Sequence, residues 1–155
     1  MVRHFTTWPD TWMHVAQEVA KRSKCSRMGI GAVIVDPTNR IVATGYNGPP
    51  ANMPDIVGEC VRWCPRAKKD QPEEHYHDCF SIHAEANALL FCDRRDREGG
   101  AIYVSGGICI DCAKLIGNSG LSIAHYIDDG AAHRKIESGV NILKRSGITV
   151  VTWSP

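Results

Sequence analysis

Two cysteines separated by two residues, Cys109 and Cys112, form the first chemically informative pattern in the chain. If a helix begins there, both thiols lie on one face of its first turn, where they can bind one metal ion. A helix N-terminus also favours the thiolate, which is the form that binds metals. On its own, a C-x-x-C pair is equally typical of a redox dithiol or of half a structural zinc ribbon.

A second pattern, His83-Ala84-Glu85, lies upstream, with 23 residues between Glu85 and Cys109. This length suits a helix, a strand and a return to the same end of a sheet, so the two helix starts should lie side by side. One imidazole and two thiolates supply three zinc ligands, and three ligands with an open fourth position are typical of catalytic zinc. Zinc lowers the pKa of bound water to about 7, and Glu85 can move its proton. The residues therefore indicate hydrolysis at an electrophilic carbon.

Composition limits the class of protein that carries these residues. The chain has 155 residues, is 43% apolar and 23% charged, and has a net charge of +1. These values predict one domain, and the near-neutral charge argues against a nucleic-acid partner. We find no run of about 18 apolar residues and no apolar signal segment, so we expect no membrane association and a cytoplasmic protein. In that reducing compartment, seven cysteines are more often metal ligands or reactive thiols than disulfides.

The elements that must position the site follow from apolar periodicity and turn signals. A β-hairpin followed by alternating helices and strands predicts a three-layer α/β/α sandwich around a central, mixed, five-stranded sheet. A long irregular insertion, at about 48–82, interrupts the single domain of residues 1–155. We predict helices over about 9–22, 83–91, 109–116 and 131–145, and strands over about 30–35, 41–46, 101–105, 121–127 and 148–153.

The combination of His83, Glu85, Cys109 and Cys112 matches the zinc nucleobase deaminase signature. Within that superfamily the chain resembles the deoxycytidylate (dCMP) deaminases, from about Trp12 to Val150. The resemblance implies the cytidine deaminase-like form of the predicted sandwich. The stretches that carry it are Ser23–Arg27, Gly31–Val35, Thr44–Gly48, Ile82–Ala88, Ile102–Val104 and Cys109–Lys114.

The resemblance implies hydrolysis of dCMP to dUMP and ammonia, in which zinc hydroxide attacks C4 and Glu85 protonates N3 and then the departing amine. It also implies a homo-oligomer, often a hexamer and alternatively a dimer, and dCTP and dTTP as possible effectors. The substrate-binding residues that it implies are Asn47 at the deoxyribose, Ser26 and Arg27 near the 5′-phosphate, Tyr126 stacked on the base, and Ala84. From the residues alone, Asn47 is equally a turn former, Arg27 a solvated charge and Tyr126 a core residue.

The insertion and its surroundings contain more metal-ligand residue types than the catalytic site needs. They are either scattered thiols and solvated histidines or the ligands of a second, structural zinc, which some phage-type relatives carry. We assign such a site to Cys25, Cys60, His77 and Cys79, with Cys64 and His75 as the other candidates.

One loop departs from the family pattern. The stretch Ser105–Cys109 contains Gly106 and Gly107 and lacks the usual proline before the first cysteine. Because glycines remove side chains from the wall of the pocket, we hypothesise room for a cytosine substituted at C5, such as 5-methyl-dCMP.

Two other functions fit parts of the pattern. The first is another deaminase, acting on cytidine, guanine or tRNA adenosine. Cytidine would leave Arg27 without a phosphate, and tRNA demands a basic surface that the net charge does not supply. The second is a non-catalytic zinc-binding module, which has no need of Glu85 beside an open metal position.

Overall fold

Five strands form one mixed sheet at the centre of the protein. The computed structural model describes residues 6–53, 64, 66, 78–130 and 135–154. The strands follow the order β2-β1-β3-β4-β5, in which β1 is antiparallel to β2 and β3, while β3, β4 and β5 are mutually parallel. Their bounds are β1 Gly31–Val35, β2 Ile41–Tyr46, β3 Ala101–Val104, β4 Ile123–Tyr126 and β5 Thr149–Thr152.

Helices cover both faces of this sheet, as predicted. The helix α1 (Trp8–Ala20) packs through Met13 and Ala16 on the face that carries Val33 and Tyr103. The opposite face, which carries Ile34, Ile102 and Tyr126, packs against the other helices of the core. Those on the second face include α2 (Ala84–Leu90), α4 (Ile110–Gly117) and α5 (Ile136–Arg145). The three-layer α/β/α sandwich is therefore confirmed.

The turn between β1 and β2 forms as its sequence predicts. The Asp36 carboxylate accepts hydrogen bonds from the main-chain N–H groups of Thr38 and Arg40, at 2.8 and 3.0 Å. Asn39 takes a left-handed conformation with φ of 63°, which asparagine tolerates better than most residues.

Two features of the helices differ from the prediction. A short helix, α3 (Arg94–Arg97), lies where we predicted no element. Arg97 anchors it, because this side chain donates to the main-chain carbonyl groups of Ser119, Leu89 and Cys92. In the described residues α5 begins at Ile136, whereas positions 131–134 of the predicted helix lie outside them. None of the helices in the described ranges is long and apolar enough to cross a membrane.

The sheet and its loops bring the starts of α2 and α4 together. The helix α2 lies on β2, where Gly45 allows a close approach between strand and helix. A Cβ at this position would collide with the main-chain O of Ala84 and the N of Ala88. The helix α4 follows β3 after a short loop, so that its first turn lies at the carboxyl end of a parallel strand. This is the edge at which open α/β sheets usually bind ligands.

Candidate active site

Three side chains converge at this edge in a geometry that fits a zinc ion. The His83 Nδ1 atom lies 3.4 Å from Cys109 Sγ and 3.4 Å from Cys112 Sγ. With Zn–N near 2.05 Å and Zn–S near 2.3 Å, a tetrahedral ion separates nitrogen from sulfur by about 3.5 Å. Within the described ranges this is the one group of three or more His, Cys, Asp or Glu residues whose ligand atoms all lie within 4.8 Å of one another. The distances and the donor set both suit zinc.

Local backbone geometry explains the convergence. His83 and Cys109 are the N-cap residues of α2 and α4, both with extended backbones, so that each side chain leaves its helix at the first turn. The Cys109 sulfur accepts a hydrogen bond from the main-chain N–H of Cys112 at 3.5 Å, which fixes the first turn of α4. Both cysteines are buried. The predicted C-x-x-C arrangement on one helix face is thus observed.

The two thiols affect each other's pKa in opposite directions. The hydrogen bond with Cys112 lowers the pKa of Cys109 to about 3, and contact with His83 contributes to the same shift. The hydrogen bond with Cys109 raises the pKa of Cys112, and burial and the nearby Glu85 carboxylate raise it further. Two thiolates beside a carboxylate need a compensating cation, which a divalent metal ion supplies.

Glu85 lies beside the three metal-binding residues, as a carrier of the water proton must. It belongs to the first turn of α2 and is only 3% exposed, so its carboxylate is largely removed from water. The carboxylate contacts the Cys112 thiol. Because His83, Cys109 and Cys112 already supply three ligands, Glu85 is placed to carry a proton rather than to complete a closed site.

A cleft of about 210 Å³ opens beside these residues. Three of the five predicted substrate-binding residues, Arg27, Asn47 and Ala84, line it together with His83 and Glu85. The other described residues of its wall are Cys25, Met28, Ile30, Arg66, Cys79, Ser81, Gly107 and Cys109.

Asn47 holds one wall of the cleft in place. Its Oδ1 atom accepts hydrogen bonds from the Ser23 hydroxyl and the Ile30 N–H, both at 2.7 Å. Its Nδ2 atom donates to the Met28 carbonyl at 2.9 Å. These bonds join the end of β2 to the loop between α1 and β1. An amide nitrogen carries two hydrogens, so a second N–H is available for a ligand.

Two predicted substrate-binding residues do not line the cleft. Ser26 is exposed, and the cleft wall includes its neighbours Cys25 and Arg27 instead. Tyr126 is 6% exposed within the core, and its hydroxyl accepts a 3.1 Å hydrogen bond from the Thr152 hydroxyl on β5. The stacking role proposed for Tyr126 is corrected to a packing role, since its ring faces the helices and its hydroxyl is bonded to β5.

The space beside Gly107 is also filled in a way that the sequence did not predict. A Cβ on this residue would collide with Ile136 Cδ1 at the start of α5. Its N–H donates to the Asp129 carboxylate at 3.1 Å. The missing side chain at Gly107 therefore makes room for Ile136, and room for a C5 substituent stays a hypothesis.

Sequence reasoning missed Arg66, whose buried side chain lines the cleft. It lies in the irregular insertion, where no periodic pattern indicated which residues turn inward. The one available signal was its place in a run of basic residues after a cysteine and a proline.

Three thiols lie near one another at the edge of this cleft. Cys79 is hydrogen-bonded to Cys64 and lies close enough to Cys25 for their charges to interact, but the three sulfur atoms do not all lie within 4.8 Å of one another. Burial raises the pKa of Cys79, and the proximity of Cys64 raises it further. Two of these, Cys25 and Cys79, belong to the predicted second zinc site, while Cys60 and His77 lie outside the described residues.

Comparison with known proteins identifies the family. The model of the cytidine and deoxycytidylate deaminase zinc-binding region matches residues 6–127. Among curated proteins, the deoxycytidylate deaminase of Mycobacterium phage D29 is 38% identical over 125 residues, which cover 77% of this chain and 93% of that protein. The Saccharomyces cerevisiae deoxycytidylate deaminase is 35% identical over 150 residues, and the match covers 96% of this chain but only 45% of the yeast protein.

A solved structure supports the fold. The crystal structure of the dCMP deaminase from cyanophage S-TIM5, in complex with dCMP and dUMP, superposes with a TM-score of 0.69 at 23% identity and covers 97% of this chain and 100% of that one. At this identity the likeness bears on architecture only. Together with the family match and the His83, Cys109 and Cys112 geometry, these findings show that the chain belongs to the zinc-binding cytidine and deoxycytidylate deaminase family.

Proposed function

We propose that this protein hydrolyses dCMP to dUMP and ammonia. The observation that carries the proposal is the convergence of His83, Cys109 and Cys112 with Glu85 in one cleft that also contains Arg27. The deoxycytidylate deaminases among its relatives, at 34–38% identity in the phages D29 and T2, support the choice of substrate.

Metal binding and proton transfer are carried out by different residues of the site. His83, Cys109 and Cys112 would hold the zinc ion, which supplies a water molecule of lowered pKa. Glu85 would take one proton of the attacking water to N3, and then take the second proton of that water to the departing amine, so that dCMP and water give dUMP and ammonia. Burial of Glu85 strengthens its interaction with charge that develops on the ring.

The remainder of the nucleotide would lie along the cleft wall. The second N–H of Asn47 is available for a deoxyribose hydroxyl, because the other polar positions of its amide are bonded to the loop between α1 and β1. Arg27 would bind the 5′-phosphate, since its guanidinium presents several N–H donors to an anion. The buried Ala84 would contact the base from the start of α2.

A substrate panel tests this proposal. Zinc-loaded protein is incubated with dCMP, CMP, deoxycytidine, dCTP and 5-methyl-dCMP, and the change in ultraviolet absorbance as cytosine becomes uracil is followed. We expect dCMP to have a higher kcat/KM than CMP, deoxycytidine and dCTP, and turnover of 5-methyl-dCMP would support the hypothesis of room at C5. A higher kcat/KM for deoxycytidine than for dCMP would contradict the proposed substrate.

A second, structural zinc is part of the proposal. The interactions of Cys79 with Cys64 and with Cys25, which come from three separate segments, support it, and zinc binding would require their sulfur atoms to move to within about 4 Å of one another. A closed structural site needs four ligands, and Cys60 or His77 is our candidate for the fourth. Such a site would attach the irregular insertion to the loop between α1 and β1.

We also propose that the protein assembles as a homo-oligomer, a hexamer in preference to a dimer. Leu90 and Phe91, at the end of α2, are 70% and 79% exposed, and Leu115 on α4 is 50% exposed. Exposed apolar side chains of this size are typical of protein–protein contact surfaces. Activation by dCTP and inhibition by dTTP stay predictions from the family resemblance, and the substrate panel repeated with each nucleotide tests them.

A cytoplasmic location is the last part of the proposal. The six described cysteines are all free thiols, which is typical of proteins in a reducing compartment.

A further inference from the structure

Asn87 links the helix that carries Glu85 to the strand that leads into the cleft wall. It lies on α2, one turn beyond His83 and two residues after Glu85. Its main-chain N–H donates to the His83 carbonyl at 3.0 Å, which is an ordinary helical bond. Its side chain bonds elsewhere, because Nδ2 donates to the main-chain carbonyl of Tyr46 at 2.8 Å. Tyr46 is the last residue of β2, so this bond joins the helix to the end of the strand.

The Tyr46 carbonyl is directed to the open edge of the sheet. The strand β2 is an edge strand, and Tyr46 pairs with Gly31 of β1. The N–H and the carbonyl of Gly31 both bond to Ser105 on the other side of β1, at 2.9 Å each. Opposite residues in an antiparallel pair exchange both main-chain bonds or neither, so Gly31 and Tyr46 exchange neither. Asn87 therefore supplies a bond that the ladder of the described strands leaves unmade.

The peptide unit that Asn87 holds leads directly into Asn47. The N–H of Asn47 donates to the Ile30 carbonyl at 3.1 Å, so both polar groups of the peptide between Tyr46 and Asn47 are bonded. Because a peptide unit is planar and rigid, these two bonds fix the position from which the Asn47 side chain leaves the strand. Asn47 is buried and lines the cleft. Asn87 thus sets where the Asn47 amide lies relative to Glu85.

The group of dCMP that the Asn47 amide would bind is the 3′-hydroxyl. It is the one free hydroxyl of this sugar, since the 5′ carbon carries the phosphate and the 2′ carbon carries hydrogen. We propose that Asn87 is a positioning residue, which holds Asn47 so that binding of the 3′-hydroxyl brings the cytosine ring to Glu85. This inference rests on the proposed deaminase function and adds a residue that determines recognition of the sugar.

The variant Asn87→Ala removes the side-chain donor without adding atoms. The helical bond to the His83 carbonyl and the contact of α2 with Gly45 are retained, so we expect wild-type zinc content per chain. One neutral hydrogen bond corresponds to about 3- to 10-fold in binding. The kcat/KM for dCMP should fall by about this factor. The kcat/KM for the 2′,3′-dideoxy analogue of dCMP, which has no 3′-hydroxyl, should stay near its wild-type value.

A second variant separates the hydrogen bond from packing. Asn87→Leu also lacks the donor but fills the space with apolar atoms, and it should give the same ratio of the two kcat/KM values as Asn87→Ala. The matched control is Asn141→Ala, which removes an exposed asparagine amide from α5, outside the cleft wall, and should behave as wild type.

A double-mutant cycle tests whether Asn87 acts through Asn47. Asn47→Ala removes the amide that would bind the hydroxyl, so the further change Asn87→Ala should lower the kcat/KM for dCMP little more. Calorimetric titration of the zinc-loaded protein with dUMP and with its 2′,3′-dideoxy analogue makes the same comparison without turnover. Asn87→Ala should weaken dUMP binding by about 3- to 10-fold and leave binding of the analogue unchanged.

The outcomes separate this inference from the function on which it rests. Unchanged kcat/KM for dCMP in Asn87→Ala, equal losses for dCMP and its dideoxy analogue, or additive losses in the cycle overturn the positioning role. A wild type that turns over the two substrates equally well overturns it too. A zinc-loaded wild type that deaminates neither compound overturns the proposed function itself.

Discussion

Replacing Gly45 by alanine tests whether the sheet positions the catalytic helix. Gly45 on β2 lies directly under α2, whose start holds His83 and Glu85. A Cβ there would collide with the main-chain O of Ala84 and the N of Ala88, and would lie 3.0 Å from Ala88 Cα. Since ordinary contact begins near 3.4 Å, α2 must retreat by at least 0.4 Å, the difference between these two distances.

The size of this shift sets the expected effect. Metal–ligand distances in real sites hold to within about 0.2 Å, so His83 can no longer meet Cys109 and Cys112 at the distances that zinc requires. We expect zinc affinity to fall by about 10- to 100-fold, as it does when other supporting contacts of a ligand are lost. Overpacking should also cost about 1–3 kcal/mol of unfolding free energy. At saturating zinc, kcat should fall by about 10- to 100-fold because Glu85 moves with the helix.

Competition with a chromophoric chelator measures the zinc affinity. Thermal unfolding measures the stability, and the rate of dUMP formation measures kcat. The matched control is Gly48→Ala, just beyond the same strand. Among the described residues its Cβ would meet Lys24 Cβ and N alone, at 3.6 and 3.8 Å, which is ordinary contact. If Gly45→Ala binds zinc and turns over dCMP like wild type, or if Gly48→Ala is equally damaged, the reasoning from close packing is refuted.

Three further predictions concern stability, metal content and assembly. Burial lowers the pKa of His125, whose ring stacks on Tyr103, so the folded protein favours the neutral imidazole and loses stability as pH falls below about 6.5. The variant His125→Phe should flatten this part of the pH dependence of the urea unfolding midpoint. An unchanged slope would contradict the role of His125. Cys64→Ser should remove one of two zinc ions per chain by elemental analysis, whereas the core variant Cys92→Ser keeps both, and equal zinc content in the two variants would argue against a structural site. Phe91→Ser should reduce the mass measured by light scattering, while Val151→Ser on the edge strand should not, and a wild type that is already monomeric would end the assembly proposal.

The metal centre could be predicted from sequence because its determinants are local. His83 and Cys109 are each the N-cap of a helix, and the chain length between them brings the two helix starts to one edge of the sheet. Spacing along the chain is therefore sufficient to specify the ligands, and the structure places His83 Nδ1 3.4 Å from both sulfur atoms.

The residues that sequence reasoning missed or misplaced depend on tertiary packing. Alternation along β4 predicts that Tyr126 and His125 face opposite sides of the sheet, but it does not say which side borders the cleft. The space at Gly107 is decided by Ile136, which is remote in sequence. The helix α3 is a run of four charged residues without apolar periodicity, and only the long-range bonds of Arg97 to main-chain carbonyls distinguish it from a loop.

The most direct test of the central claim is the zinc content of Glu85→Gln measured alongside its dCMP turnover. The variant retains size and hydrogen bonding but cannot carry the proton, so the account predicts wild-type zinc per chain and a rate about 100- to 10,000-fold lower. Wild-type turnover, or loss of zinc together with activity, would contradict the assignment of Glu85 as the proton carrier beside a metal held by His83, Cys109 and Cys112.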